Sequence, residues 1–217
     1  MLRLSLDAKA RVNIGLFDRG GKNRITVETN DHDFNPKTTL TPYGIFIPEF
    51  DELFLYLTTS TVTSDFIVDI LEDFWESEKS RFEKIKTLII NQDNGSENNS
   101  RRTQFMKRIV EFSQKYQVNI RLAYYPPYHS KYNPIERTWA VLENHWNGSI
   151  LDEIETALKF AQTMTWKGKH PIVKLITETY EKGVKLTKKA MEKIEEKNRT
   201  SHRINESRLS RFGAMVY

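Results

Sequence analysis

The fold is decided by residues 87–123, which carry the sequence TLIINQDNGSENNSRRTQFMKRIVEFSQKYQVNIRLA. The first five residues, TLIIN, form a short apolar run with the length and composition of a buried strand. Apolar residues at helical spacing then predict an amphipathic helix: Phe105, Ile109, Phe112 and Tyr116. A second apolar run, at 118–123, predicts another strand. The order of strand, helix and strand is typical of an α/β protein, in which helices cover a sheet.

Upstream of this unit the apolar residues alternate, as they do in strands. Residues 2–6 predict a strand that ends near Asp7 or Lys9 and is followed by irregular chain. Residues 18–42 include the acidic stretch DHDF and two prolines, so we expect a long loop. The two short β-like runs that follow predict a hairpin: 43–47 and 53–57.

A helical period then replaces the alternation. Apolar residues over 66–75 predict a helix with Thr63 or Ser64 as its cap. After a proline-rich loop, a further helix should begin near Ile135. The resulting order, β-β-β-α-β-α-β-α, matches the ribonuclease H-like fold, which is a mixed sheet flanked by helices.

The helix that begins near Ile135 has a recognisable start. Asn133 is the expected cap and Pro134 the expected residue of the first turn. Trp139 and Trp146 lie seven residues apart on the predicted helix, so we expect both side chains in the core.

The chain beyond Gly148 has a mostly helical pattern, interrupted by WKGKHP at 166–171. We therefore predict an α/β domain over 1–148 and a helical, basic extension over 149–217. Within that extension, residues 185–211 contain nine Lys and Arg against four Asp and Glu. This charge favours a polyanionic partner, although a solvated charged helix explains it equally well.

The composition limits the available chemistry. The chain has no cysteine, which excludes disulfides and cysteine-bound metals, so any metal must bind oxygen or imidazole. No apolar run approaches the ~20 residues that span a bilayer. Charged residues begin at Arg3, unlike those of a secretory signal. We expect a soluble, cytoplasmic protein with no membrane partner.

Three carboxylates should converge in this fold. Asp7 lies at the end of the first strand, Asp93 just past the strand at 87–91, and Glu136 in the first turn of the third helix. Mg²⁺ and Mn²⁺ prefer such oxygen ligands. Two ions about 3.5–4 Å apart can activate a nucleophile and stabilise a leaving oxygen at one phosphodiester. The pattern therefore predicts nuclease or phosphoryl-transfer chemistry.

Other acidic residues compete for these roles. Glu97 is close enough in sequence to Asp93 to replace Glu136 as a ligand, but a residue of the same loop would not recruit the third helix. The stretch DHD at 31–33 offers a second metal cluster. Because neighbouring side chains diverge, a solvated loop is the better interpretation of that stretch.

Seven motifs are distributed along the chain: RLSLDAKARVNIG at 3–15, DHDF at 31–34, QDNGSENNSRRTQF at 92–105, YYPPYHSKYNPIERTW at 124–139, ENHWNG at 143–148, MTWKGKHP at 164–171 and YEKGVKLTKKAMEKIE at 180–195. Together they resemble the Rhodopirellula-type DDE transposase domain of bacterial insertion sequences. The resemblance covers nearly the whole chain, and its Asn-Pro-Ile-Glu block is also shared with mariner-like elements.

This resemblance implies a ribonuclease H-like domain with two Mg²⁺ ions, replaceable by Mn²⁺, on catalytic acids at Asp7, Asp93 and Glu136. In such enzymes a metal-activated water cuts the element end, and the freed 3′-hydroxyl attacks target DNA. Family members carry a helix-turn-helix region ahead of this domain. Asp7 is six residues from the start, so we expect the catalytic portion alone.

The resemblance also implies the partners and the location. Element ends and target DNA are the expected substrates, which places the protein in the bacterial cytoplasm at the nucleoid. Family members act as oligomers when they pair two DNA ends. A homo-oligomer on DNA is therefore expected as well, with a stoichiometry that the sequence leaves open.

Several polar residues near the three acids are expected to assist. Lys9, Arg11 and Lys131 flank them and are expected to contact the phosphate backbone, with ordinary surface solvation as the alternative for each. Asn94 belongs to the turn that exposes the second acid. His129 is a candidate for contacting phosphate or tuning a metal-bound water, with a structural role as the alternative.

Two other functions remain open from the sequence. A non-catalytic DNA-binding remnant would be held by the basic tail and by four cations of the second helix region: Arg101, Arg102, Lys107 and Arg108. Salt-dependent binding without metal-dependent cleavage would favour it. A structure-specific nuclease with the same fold is the third hypothesis, because a fold does not determine a function.

Overall fold

The computed structural model describes residues 1–20, 22, 29, 36, 38–125, 132–201 and 204–208, with side chains up to residue 194. The described ranges contain eight strands: β1 (Leu2–Ala8), β2 (Val12–Ile14), β3 (Thr38–Ile47), β4 (Glu52–Thr58), β5 (Thr87–Gln92), β6 (Asn119–Tyr124), β7 (Ile172–Ile176) and β8 (Ile204–Arg208). They also contain five helices: α1 (Ser64–Glu78), α2 (Thr103–Tyr116), α3 (Glu136–Trp146), α4 (Ile154–Thr163) and α5 (Lys188–Ser201).

The strands form one mixed sheet in the order β7-β4-β3-β1-β5-β6-β8, with β2 paired to β3 outside this path. Strand β3 is antiparallel to its neighbours β1 and β4. The remaining pairs along the path are parallel. Because β1, β5 and β6 are parallel neighbours, their carboxyl ends meet at one edge of the sheet, where polar side chains can converge.

Helices cover both faces of the sheet, and each face has its own apolar core. On one face, α1 and α2 pack on β1, β3, β5 and β6. On the other face, α3 and α4 pack on β2, β3 and β4. Alternate residues of β3 and β4 enter the two cores, as expected for strands buried on both sides. None of the helices in the described part of the chain is both long and apolar enough to cross a lipid bilayer.

The predicted elements of the first 148 residues are present, with two corrections. Thr63 caps α1, since its Oγ1 accepts a hydrogen bond from the backbone N–H of Phe66 at 3.3 Å. Residues 38–42, which were expected to belong to a long loop, are part of β3. The irregular chain expected after Asp7 contains the short strand β2. A strand of three residues is too short for alternation to identify it.

The mostly helical region expected over residues 149–217 also contains two strands that the sequence pattern did not predict. Strand β7 pairs with β4 at one edge of the sheet, and β8 pairs with β6 at the other edge. The break expected at 166–171 is a tight turn closed by Trp166 and Lys169. The helices α4 and α5 are present as expected, and the domain boundary at Gly148 stays a prediction.

Candidate active site

Two of the three predicted acids lie side by side at the carboxyl edge of the sheet. Strands β1 and β5 pair in parallel, with Leu4 beside Ile90 and Ser5 beside Asn91. Continued by two residues, this register sets Asp7 beside Asp93. Neighbouring strands are about 4.8 Å apart, and residues at matching positions point to the same face. Strand pairing therefore brings Asp7 and Asp93 close together in space, although they are far apart in the sequence.

The third acid is brought to the same edge by hydrogen bonds between β1 and the start of α3. The hydroxyl of Ser5 donates to Asn133 Oδ1 and accepts from the backbone N–H of Ile135 at 3.2 Å. Asn133 Nδ2 donates to the carbonyl of Leu6 at 3.0 Å. Glu136 is the first residue of α3 and follows this junction directly.

The expected role of Asn133 as a helix cap is corrected by these contacts. Its side chain is buried and bonded to β1, and α3 has no side-chain cap. The backbone carbonyl of Asn133 instead accepts from the N–H of Glu136 at 3.0 Å. A buried amide must satisfy its donor and acceptor. The strand satisfies both here, and Asn133 joins α3 to the sheet.

The electrostatics of the edge show that Asp93 and Glu136 are close enough to affect the pKa of Asp7. Burial raises the pKa of Asp7 from 3.8 to about 7, against the effect of a hydrogen bond from Trp139. The negative charges of Glu136 and Asp93 raise the pKa of Asp7 further. Such mutual repulsion is the usual mark of carboxylates that share one site. We call Asp7, Asp93 and Glu136 the site acids.

Neutral donors hold two of the site acids. Trp139 Nε1 donates to Asp7 Oδ2 at 2.8 Å. Asn98 Nδ2 donates to Asp93 Oδ1 at 2.8 Å, and the carbonyl of Asn98 in turn accepts from the side chain of Gln92 at 3.1 Å. Within the described ranges, no Lys, Arg or His forms an ion pair with a site acid. Among these residues, the site acids therefore have no cationic partner.

The donor set suits a hard divalent cation. Carboxylate oxygens are the ligands that Mg²⁺ and Mn²⁺ prefer. A cation would favour the charged form of Asp7, which burial and then the charges of Glu136 and Asp93 disfavour. Among the residues that the structure describes, no three Asp, Glu or His side chains are close enough to form a complete metal group. Asp7 and Asp93 are turned toward Trp139 and Asn98 instead.

Comparison with protein families gives a match over residues 2–207 to the family described as the Rhodopirellula transposase DDE domain. The chain belongs to this family. The predicted family is thereby confirmed. A comparison with curated proteins finds no match.

The fold of this DDE transposase domain is also found among solved structures. A structure described as the Mos1 transposase paired-end complex with left transposon end has a TM-score of 0.55 and 11% sequence identity. The similarity covers 73% of this chain but 46% of that chain, so this DDE domain spans about half of the neighbour's length. The predicted ribonuclease H-like fold is confirmed.

Two of the cations expected at DNA are engaged within the DDE domain itself. Lys9 Nζ lies 2.5 Å from a carboxylate oxygen of Glu143, which Arg19 also contacts at 2.5 Å. Arg102 pairs with Glu97 at 3.0 Å, and Glu97 also accepts a hydrogen bond from Ser64. Glu97, the alternative ligand, is thus part of a loop-to-helix contact.

The other expected site residues are solvent-facing or lie outside the described residues. Arg11, Arg101 and Asn94 are exposed, so they stay predictions for DNA or phosphate contact. His129, Lys131 and the acidic stretch at 31–33 lie outside the described residues. On α2, Arg108 contacts Asp69 of α1 at 2.6 Å and so joins two helices.

Sequence reasoning missed three residues of the site: Ser5, Asn98 and Trp139. Ser5 precedes Asp7 by two residues and therefore shares its face of β1. Trp139 follows Glu136 by three residues, which places it on the same side of α3. It is 7% exposed, so the expectation of a core residue is correct but incomplete. These spacings were available in the sequence, whereas the partner of Asn98 was not.

Proposed function

We propose that this chain is the catalytic domain of a transposase that cuts and joins DNA with two divalent metal ions on Asp7, Asp93 and Glu136. The observation that carries the proposal is the register of β1 and β5, which sets Asp7 beside Asp93. It is supported by the raised pKa of Asp7, which is due first to burial and then to the negative charges of Glu136 and Asp93. Mg²⁺ is the proposed ion, with Mn²⁺ as its substitute. When bound, the ions would activate water and stabilise the leaving 3′-oxygen.

The residues of the chain have separate parts in this proposal. Asp7 offers a ligand from β1, Asp93 offers one from the position directly after β5, and Glu136 offers one from a helix tied to β1 by Ser5 and Asn133. Rigid elements hold catalytic groups more accurately than loops do. The freed 3′-hydroxyl would attack target DNA at the same acids, so a single site serves hydrolysis and strand transfer.

A basic surface close to this edge supports DNA as the substrate. Lys185, Lys188 and Lys189 are exposed, and within the described residues none of them forms an ion pair. We call them the lysine patch. The backbone N–H of Leu186 donates to Thr103 Oγ1 at 3.0 Å, which ties the patch to the start of α2. That start directly follows the loop that begins at Asp93.

The lysine patch is not explained by helix stability. Lys188 and Lys189 occupy the first turn of α5, which has no acidic residue. Cations at this end of a helix oppose its dipole. Contact with the phosphates of DNA is the proposed role of the patch, and the DNA ends and target would be paired by an oligomer.

Metal binding and plasmid nicking test the proposed function together. Calorimetry with Mn²⁺ and a supercoiled-plasmid assay would compare the wild type with Asp93→Asn. Asparagine keeps the shape and the acceptor for Asn98 but removes the charge. We expect the wild type to bind and nick, and the variant to lose both. Asp152→Asn is the matched control, because Asp152 is exposed and likewise accepts one hydrogen bond, from the N–H of Glu153.

The other outcomes separate the alternative functions. DNA binding that depends on salt, with no Mn²⁺-dependent nicking, would favour the non-catalytic remnant. Nicking confined to branched or flapped DNA would favour a structure-specific nuclease. Failure of the wild type to bind Mn²⁺ would overturn the two-metal proposal.

A further inference from the structure

The indole N–H groups of the two tryptophans of α3 have different surroundings. Trp139 is 7% exposed and its indole N–H donates to Asp7. Trp146, two turns later, is fully buried, and within the described residues its indole N–H meets no acceptor. Both rings pack in the same core, so packing alone does not distinguish them. What distinguishes Trp139 is its bond to a site acid.

The ring of Trp139 packs against the sheet over Gly44, which has no side chain. Gly44 of β3 is paired with Asp7 across the strands. A Cβ atom at Gly44 would lie 2.8 Å from Cη2 of Trp139 and 2.5 Å from Cδ1 of Ile135. Real Cβ atoms do not approach other atoms so closely. The absence of a side chain at Gly44 therefore lets the ring lie against the strands beside Asp7.

The position of the Trp139 ring along β1 is fixed by the hydrogen bonds that join β1 to the start of α3. Ser5 of β1 is hydrogen-bonded to Asn133, which precedes α3. Asn133 lies three residues before Glu136 and six residues before Trp139. The hydrogen-bonded junction and the packing over Gly44 hold the ring at two separate points. The indole N–H is thus directed at Asp7 Oδ2 by the fold and not by a flexible side chain.

The chemistry of the indole group suits a metal site. An indole N–H is a donor only and carries no charge. It orients a carboxylate without cancelling the negative charge that a divalent cation needs, whereas Lys or Arg in its place would compete with the cation. Outer partners of this kind orient metal ligands, and their removal commonly weakens metal affinity 10–100-fold.

We propose that Trp139 is a positioning residue for the metal ligand Asp7, which it holds in one orientation while leaving its charge intact. The inference rests on the proposed metal-dependent function of the site acids. It assigns to Trp139 a role that Trp146 lacks, although both are core tryptophans of the same helix.

Trp139→Phe and Trp146→Phe test this role as a matched pair. Each keeps an aromatic ring in the core and removes one indole N–H. Calorimetry in the full chain should show Mn²⁺ affinity about 10–100-fold weaker for Trp139→Phe. For Trp146→Phe the change should stay within about twofold, since no hydrogen bond is lost. Circular dichroism and thermal melts would show that both variants are folded at the assay temperature.

Plasmid nicking adds a second measurement. Nicking by Trp139→Phe should recover as Mn²⁺ is raised, because the lost property is metal affinity. A merely structural role predicts equal Mn²⁺ affinity in the two variants and no recovery with Mn²⁺, and that result would overturn the inference.

A third variant covers the case in which Trp139→Phe does not fold. Gly44→Ala keeps the indole but drives it away from Asp7, so it should also weaken Mn²⁺ binding; unchanged affinity in a folded Gly44→Ala would equally overturn the inference. A wild type that binds no Mn²⁺ would remove the proposed function and this inference together. A wild type that binds Mn²⁺ only as tightly as folded Trp139→Phe does would remove the inference alone.

Discussion

The acidic residues at the two ends of the central sheet have different partners. At the carboxyl end of β1 and β5, the site acids have neutral donors and, within the described residues, no ion pair. At the other end, the acids of the β3–β4 turn are each paired with a cation: Glu49 with Arg3, Asp51 with Lys167, and Glu52 with Arg81. Acidic residues alone therefore do not distinguish a site from a surface in this protein. The distinction lies in whether a cation already accompanies them.

The pKa values of the acids at the two ends move in opposite directions, because their surroundings differ. Hydrogen bonds from Arg81 lower the pKa of Glu52, whereas burial raises the pKa of Asp7 to about 7. A lowered carboxyl pKa stabilises the fold at neutral pH, and a raised one destabilises it. The raised pKa of Asp7 thus lowers the free energy of unfolding at neutral pH, and a bound cation would raise it again.

The largest expected effect comes from Asp7→Asn. Removing the buried charge should raise the unfolding free energy of the metal-free protein at pH 8 by about 2–4 kcal/mol, since a tenfold change in an acid dissociation constant corresponds to about 1.4 kcal/mol. The same variant should no longer bind Mn²⁺. Urea denaturation with and without Mn²⁺ measures both effects. A less stable variant in metal-free buffer would contradict the comparison of the two ends.

The pH dependence gives the next effect. Because the pKa of Asp7 is raised from 3.8 to about 7, the folded protein holds a proton that the unfolded chain has released within this interval. The contribution of Asp7 to stability therefore falls as pH rises from about 4 to 7. Mn²⁺ must displace this proton. Thermal melts should show a stabilisation by Mn²⁺ that grows between about pH 6 and 8 and is absent in Asp7→Asn.

A smaller effect is expected on DNA binding, which should depend on lysines at one end of the sheet and not on those at the other. The double variant Lys188→Gln with Lys189→Gln should weaken DNA binding several-fold and reduce the slope of log K against log salt by about 2, because each phosphate contact contributes about 0.9. Lys84→Gln with Lys86→Gln removes two exposed lysines just before β5, at the opposite end. Fluorescence anisotropy across a salt series should show no change in slope for that control. Equal slopes for both pairs would leave the lysine patch without a special role.

The smallest effect is expected for Glu52→Gln. An ion pair near the surface contributes about 0.2–1 kcal/mol, so the variant should lose no more than that at pH 7. Because the pKa of Glu52 is lowered, the loss should vanish as pH falls below the ordinary range of a glutamate. Chemical denaturation at pH 7 and pH 3 measures this difference. Mn²⁺ affinity should remain that of the wild type, and a change in that affinity would link the two ends of the sheet.

Most of the fold could be predicted because most elements have a clear period. The alternation in β1, the apolar run of β5 and the stripes of α1 and α2 each identify an element that the structure contains. The strands β7 and β8 could not be found in this way. They are five-residue edge strands, and β7 is half-buried at most positions, so its residues alternate little between apolar and polar.

The candidate site divides along similar lines. The positions of the three site acids in the fold were predictable because each lies next to a local signal: a strand end for Asp7, a turn for Asp93 and a helix start for Glu136. Their role as metal ligands stays a prediction. The partners of the site acids were not predictable, because a hydrogen bond such as that from Trp139 to Asp7 joins residues 132 apart. The ion pair between Lys9 and Glu143 could not be predicted either, because it depends on the packing of α3 against the sheet.

The junction of β1 with the start of α3 also bears on when activity appears during synthesis. The bond between Ser5 and Asn133 spans 128 residues, so it closes one of the longest loops in the chain. Closing such a loop has an entropic cost that only the packing of the completed sheet offsets. A nascent chain that has already made Asp7 and Asp93 still lacks Glu136 and Trp139. The fold therefore delays assembly of the site acids until translation has passed α3, so an incomplete chain would lack the complete site that the proposed function requires.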